Sequence, residues 1–446
     1  MKKIRIGAGA AYSGDRVEPA MELARDGKLD YLVFECLAER TIALAQQARR
    51  QDPARGYDPL LEKRMRAVLA QCAGQKIRII TNMGAANPES AAEKTREIAR
   101  AMGLTGLKIA AITGDDVLDQ VKGSAFRSLD TDEPVQAYDN RMVSANAYLG
   151  VQPIVEALAG GADVVIAGRI ADPALFLAPL VHEFGWSMDD WTRLGRGTAV
   201  GHLLECGGQI TGGYFADPGP KDVLGMARLG FPLAEVNADG TAIITKVAGS
   251  GGKVSAATCK EQLLYEVHDP TKYFQPDVVA DFSKITVTEI GPDRVLIEGA
   301  GGHPRTDTLK VTVGYMDGFI GEGEITYAGS NALARGKLAR EIVRERLELT
   351  GARYDEIRFD LIGVDSLHGE RIAAAAPEPR EVRLRVAART STLADAQVIG
   401  EEVETLWVNG PAGGGGARKY TRETLAVLSV LLPRTQVRHA IRMVES

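Results

Sequence analysis

"GAGAAYSGDR", residues 7–16, follows the apolar stub Ile4-Arg5-Ile6 and runs into a helical pattern that begins at Val17. Its reading decides the fold. A strand, a glycine-rich turn and a helix in that order can open a dinucleotide-binding unit. There Gly-x-Gly-x-x-Gly lets a pyrophosphate approach the backbone at a helix N-terminus. Glu35 then ends the next strand about where a ribose-binding acid belongs. Two departures weigh against this. Tyr12 stands where the third glycine is required, with Gly14 two positions late, and Asp15 puts a carboxylate where the pyrophosphate would sit. The better reading is a strand end whose Ser13 or Asp15 caps the helix and faces a ligand site. The plain alternative is a cap with no ligand role.

Working outward, strand and helix signals alternate through the first 180 residues. Apolar runs at Ile4–Ala8, Tyr31–Phe34, Ile77–Ile80, Leu107–Ala111 and Val164–Ala167 read as strands. Stretches with apolar residues three and four apart lie between them, at Val17–Arg25, Ala38–Gln47, Leu60–Gln71, Ser90–Met102 and Ile154–Leu158. This order predicts parallel strands covered on both faces by crossover helices. The expected class is therefore α/β, with a mainly parallel sheet and helices on both faces, followed by a smaller α+β domain. Residues 1–283 form the large domain, with a Gly-rich insertion from about 188 to 276, and residues 284–446 form the C-terminal one. In the latter, hairpins turn at Gly291-Pro292-Asp293 and Met316-Asp317-Gly318. Helices are expected at Asn331–Leu347, Ala394–Val408 and Thr421–Leu431, and strands near Ile357–Ile362 and Val382–Ala387.

The totals bound the function. A chain of 446 residues with 45% hydrophobic and 25% charged residues is an ordinary globular protein of two or more domains. A net charge of −6 argues against a general nucleic-acid binder, though not against a local cationic pocket. No run of about 18 apolar residues suggests a membrane span. Met1-Lys2-Lys3 leads straight into a strand without a secretory h-region, so the cytoplasm is the expected compartment. The four cysteines lack C-x-x-C spacing and read as free thiols.

Polar residues follow each strand: Ser13 and Asp15, Glu35, Asn82 and Asn87, Asp115 and Asp116, Arg169 and Asp172. Parallel strand ends share one side, where ligands bind. On that ground Glu35, Asp116, Asp172 and Asn82 are the catalytic candidates. Ser13, Asp15, Asn87 and Arg169 are the substrate-binding candidates. Asn87 and Asp172, each before a proline, are equally natural helix caps.

Two glycine runs add candidates. "GSGGK", residues 249–253, feeds a helix whose first amides, with Gly251 and Lys253, could hold an anion. "GPAGGGGAR", residues 410–418, makes either a loop or a nest with Gly414 and Arg418 at a ligand or an oligomer interface. Cys206 lies in a glycine-rich loop and is the better nucleophile candidate, Cys259 a structural thiol. The six histidines form no H-x-x-x-H pair, so no metal site is assigned. A divalent ion at Asp115 and Asp116 stays an open option.

The stretches "IRIGAGAAYSGDR", "DYLVFECLAERTIALAQ", "NMGAANPES", "GADVVIAGRIADPAL", "ECGGQITGGYF" and "GSGGKVSAATCKEQLLYEVHDPTKY" together resemble the acyclic terpene utilisation (AtuA) family over roughly residues 4–420. The resemblance implies a cytosolic bacterial catabolic protein, from a pathway that degrades citronellol and geraniol through CoA thioesters. It implies no defined reaction. Many members carry a further C-terminal module with an "RSGDKG"-like stretch. Its absence before Ser446 leaves room for a small, separately encoded partner protein.

The expected function is an enzyme of carboxylic acid or acyl-CoA catabolism, a hydro-lyase or isomerase with a carboxylate base and amide or Arg stabilisation of an enolate. It acts on a small anionic substrate, with a CoA thioester as candidate and no redox cofactor, and a homo-oligomer is expected. The alternative is a non-catalytic CoA- or substrate-binding subunit that completes a partner enzyme.

Overall fold

The computed structural model describes residues 2–373 and 377–446. The chain divides into two compact units, Met1–Gly314 with Val427–Ser446, and Tyr315–Ala426. The expected boundary at 283/284 is not where they divide. The hairpin Thr286–Gly291 and Arg294–Glu298 extends the sheet of the first unit, and the last strand, Ala440–Glu445, returns to it.

The first unit is built on a ten-stranded sheet. Its centre is a parallel block in the spatial order Lys3–Ala10, Tyr31–Phe34, Arg78–Thr81, Val164–Ala167, Lys108–Thr113. Side chains of one strand alternate between two cores. Tyr31 and Val33 join the core on one face, Leu32 and Phe34 the core on the other. Burial on both faces explains why these segments read as continuous apolar runs. The helices Glu18–Asp26, Leu61–Gln75 and Pro88–Ala101 contribute to one core, Asp172–Phe184 and Trp191–Glu205 to the other.

Parallel pairing stops at both flanks, so the sheet is mixed and not mainly parallel. Pro232–Asn237 pairs antiparallel with the first strand, followed outward by Ala242–Lys246 and the 286–298 hairpin. Ala440–Glu445 closes the other edge, antiparallel to Lys108–Thr113. Much of the presumed irregular insertion is therefore regular: a 15-residue helix, Trp191–Glu205, and two sheet strands.

The opening glycines are used for packing. Both lie inside the strand Lys3–Ala10, not in a turn. A Cβ on Gly7 would stand 2.7 Å from Leu29, and one on Gly9 2.6 Å from the Phe34 ring. The helix after the turn begins at Glu18 with Val17 as its N-cap and no side-chain cap. Asp15 instead closes the turn on itself by accepting the Ala11 amide at 2.9 Å.

The second unit has its own core, with Ile325, Val343, Leu384 and Val403 buried. Helices Ala332–Leu349 and Leu393–Glu404 pack on the strand Glu381–Thr390. Two expectations fail here. Thr308–Ala328 is one 21-residue strand, with no hairpin at Met316–Gly318. Residues 421–431 are not helical, because Gly415–Pro433 is a strand in which Leu428, Val430 and Leu432 are buried while Val427 and Leu431 are exposed. That two-residue alternation is a strand's.

Candidate functional site

A cavity of about 900 Å³ opens beside the C-terminal ends of the parallel strands. Ala11 and Tyr12 follow the first strand into its wall, Glu35 follows the second, and Arg169 follows Val164–Ala167. Asp172 arrives with the helix Asp172–Phe184, as its first residue, and Ala171 is the N-cap. Glu205 and Cys206 come from the end of Trp191–Glu205, and Tyr265 and Glu266 from the segment after Ala256–Leu264.

Glu35 is held from behind. Its Oε1 accepts the Leu37 amide at 2.9 Å and the Asn82 side-chain amide at 2.9 Å. Asn82 itself accepts the Cys36 amide at 2.7 Å, which fixes it across the strand ends. Burial and the nearby Asp172 carboxylate push the Glu35 carboxyl up to about 8, against the pull of Arg169 and these two amides. At neutral pH the group is mainly the neutral acid.

Arg169 is 1% exposed and each of its three guanidinium nitrogens already donates. The guanidinium donates to the carbonyls of Leu37 and Ile170 and pairs with Asp172. Its plane lies 4.5 Å over the Tyr148 ring. The Asp115 carboxylate fixes its backbone by accepting the Arg169 amide at 3.0 Å and the Asn146 side chain at 2.8 Å. Burial pushes Asp172 up and Arg169 opposes it. A second charged pair, Lys310 with Glu39 at 2.6 Å, shares the wall, and the Tyr148 hydroxyl donates to the same Glu39 oxygen at 3.0 Å.

Of the candidates from sequence, Glu35, Asp172 and Arg169 meet on this cavity, with Asn82 directly behind. Others serve the scaffold. Ser13 and Asp15 sit in a turn whose carbonyls, with that of Tyr12, accept from the fully buried Arg64 at 2.8–3.3 Å. Asn87 caps Pro88–Ala101 and donates to the carbonyls of Pro53 and Arg55. Asp116 accepts from Gln46 and the Leu118 amide, away from the cavity wall. Among the described residues no three His, Cys, Asp or Glu side chains are grouped to hold a metal ion.

The glycine runs fare differently from their reading as anion cradles. The start of the helix Ala256–Leu264 is already met by carboxylates, Glu289 on the Ala256 amide and Asp293 on the Val254 amide. Gly251 is packed against the Arg228 carbonyl. Lys253 lies on a separate depression of about 760 Å³ with Lys221 and Lys260. Gly414 abuts Ile325 and Tyr327 within the second unit, and Arg418 is exposed on the strand Gly415–Pro433. Cys206 lines the cavity, but burial pushes its thiol up, so it is no ready nucleophile.

Sequence reasoning passed over Glu39, Tyr148, Glu205, Glu266, Tyr273 and Lys310. Glu205 was within reach beside Cys206 in "ECGGQITGGYF", although it ends a helix buried on nearly every side, where position carries no signal. Glu266 adopts a left-handed φ of 60°, rare for a glutamate.

A family model described as acyclic terpene utilisation family protein AtuA matches residues 4–443. The chain belongs to that family. The match covers both compact units. No curated protein and no solved structure matches the chain. Among the described residues no helix is long and apolar enough to cross a membrane.

Proposed function

We propose that this member of the acyclic terpene utilisation family is an acid–base enzyme of carboxylic-acid or acyl-CoA catabolism, a hydro-lyase or an isomerase working on a terpenoid-type thioester. One observation carries the reading: carboxyls from distant parts of the chain converge on one cavity around a buried cation already engaged by Asp172 and backbone carbonyls. Glu35 is the acid. With two N–H groups on Oε1, the proton of its neutral form sits on Oε2. Asp172 is the base, held as a carboxylate by Arg169. Two carboxyls whose surroundings separate their protonation can split the acid and base roles. Arg169 then serves Asp172 and not a substrate carboxylate, so a reacting group without charge suits this wall better than an anion.

The test is isotopic. The protein is incubated in D₂O with saturated, 2-unsaturated and 3-hydroxy acyl-CoA thioesters, and products are weighed by mass spectrometry. Deuterium should enter next to the thioester carbonyl, with a loss of about 10²–10⁴-fold in Glu35→Gln or Asp172→Asn. Wild-type protein that exchanges nothing would sink the reading. Exchange that appears only with a second protein would make the chain a binding subunit.

A further inference from the structure

His202 and Glu205 lie one helical turn apart on Trp191–Glu205 and play no part in the roles given to Glu35 and Asp172. His202 Nδ1 is 2.8 Å from Glu205 Oε1. The imidazole is fully buried, with ring centroids of Tyr273 at 5.2 Å and Phe282 at 5.7 Å. Glu205 lines the cavity, is 7% exposed, and its second oxygen, Oε2, is buried without a hydrogen-bond partner. An unmade bond at such a buried atom is costly, so a chain that keeps one needs a reason. A ligand that completes the bond is such a reason.

We propose that Glu205 and His202 form a proton-exchanging pair that handles the oxygen of the reaction, the hydroxyl that leaves or the water that adds. The proposal rests on the acid–base reading above and narrows it to a hydro-lyase. In the hydration direction the water oxygen forms the new C–O bond as one O–H bond breaks. Its proton goes to Glu205 Oε2, and the proton shared between Glu205 Oε1 and His202 passes to Nδ1. The C=C electron pair takes the Oε2 proton of Glu35 at the neighbouring carbon, while Asp172, the base toward saturated thioesters, stays a carboxylate. The pair gains one positive charge and Glu35 becomes a carboxylate, so the charge of the cavity is unchanged. Dehydration runs the same steps in reverse.

The surroundings suit this traffic. Burial brings the His202 imidazole down to about 4 and, with Asp172 and Glu266, pushes Glu205 well up, so the resting pair carries no net charge. Glu266 and Asp172 also favour the imidazolium once it forms. Glu205 is the catalytic residue of the pair, and His202 is a positioning residue that acts through it.

Two labels separate this pair from the carbon chemistry. With 2-butenoyl-CoA in H₂¹⁸O, Glu205→Gln and His202→Gln should each lower ¹⁸O entry into the product by about a hundredfold or more. Deuterium exchange next to the carbonyl of butanoyl-CoA, which runs through Asp172 and Glu35, should fall by less than about tenfold in the same variants. His202→Gln should also move the pH profile of ¹⁸O entry, which a packing defect would only scale. Variants that lose both labels or neither overturn the proposal, as does wild-type protein that exchanges deuterium but admits no ¹⁸O. Wild-type protein without deuterium exchange fells the acid–base reading itself. In the unliganded protein, the ¹⁵N resonance of His202 Nδ1 should move in Glu205→Gln, and an unmoved resonance equally overturns the pair.

Discussion

The Asn82 side-chain amide donates to Glu35 Oε1 at 2.9 Å, while its own oxygen accepts the Cys36 amide at 2.7 Å. One residue after the third parallel strand thereby orients the carboxyl after the second and leaves that carboxyl's other oxygen free of both amides. The pairing exists because neighbouring parallel strands end side by side, so a short amide on one reaches the residue that follows the next.

Glu35 makes stability depend on pH in a stated direction. Its folded-state value, about 8, lies above the 4.5 of the free side chain, so folding takes up a proton. The contribution is whole below about 4.5, declines as pH rises, and is lost above about 8. Between pH 5 and 8 the wild type should lose about 1–4 kcal/mol relative to Glu35→Gln. Parallel denaturation midpoints for the two proteins across that range would contradict this.

Removing Arg169 should leave a partly exposed carboxylate without its partner. Arg169→Met leaves Asp172, whose side chain is 37% exposed, without its cation, and water screens part of the loss, so the protein should be destabilised by about 1–3 kcal/mol. Arg169→Met with Asp172→Asn should recover part of the loss, since the two residues share one interaction. Additive losses in urea melts would show that the pair is not coupled.

Gly9 should be intolerant for a packing reason. Gly9→Ala drives a methyl into the Phe34 ring and should cost about 1–3 kcal/mol. Phe34→Leu in the same chain should relieve much of that cost. If the double variant is no more stable than the sum of the single effects predicts, the clash is not the cause.

Arg64 should hold the turn that carries Tyr12 to the cavity. Its Nη2 meets three carbonyls of residues 12–15, which a lysine ammonium on a flexible stem cannot reproduce from the same position. Arg64→Lys should speed hydrogen exchange at the Ala11 and Arg16 amides, both now tied to Asp15. Unchanged protection at those two amides would show that the turn stands without the clamp.

The parallel block was legible because its strands are buried on both faces and announce themselves as short apolar runs between helical periods. "TLAVLSVLL" was not, because a short apolar run fits a helix or a strand equally well. Pairing into a sheet resolved it, with Leu428, Val430 and Leu432 inward. Met316-Asp317-Gly318 looks like a turn, yet Gly318 takes its left-handed φ of 81° inside a continuous strand. The flanking antiparallel strands carry no local mark of their partners' direction, so the mixed character of the sheet was hidden.

By itself the sequence determined the strand ends that line the cavity, Glu35 and Arg169 among them, since a residue after a buried parallel strand emerges on a known side. It also determined that Tyr12 and Asp15 break the dinucleotide spacing. Only the tertiary structure decided that Glu205 and Glu266 join Glu35 and Asp172 on one wall, and that Arg169 is engaged by Asp172 and backbone carbonyls. The reason lies in range. Strand periodicity and caps act over a few residues, whereas convergence of residues 35, 172, 205 and 266 depends on how helices cross the sheet.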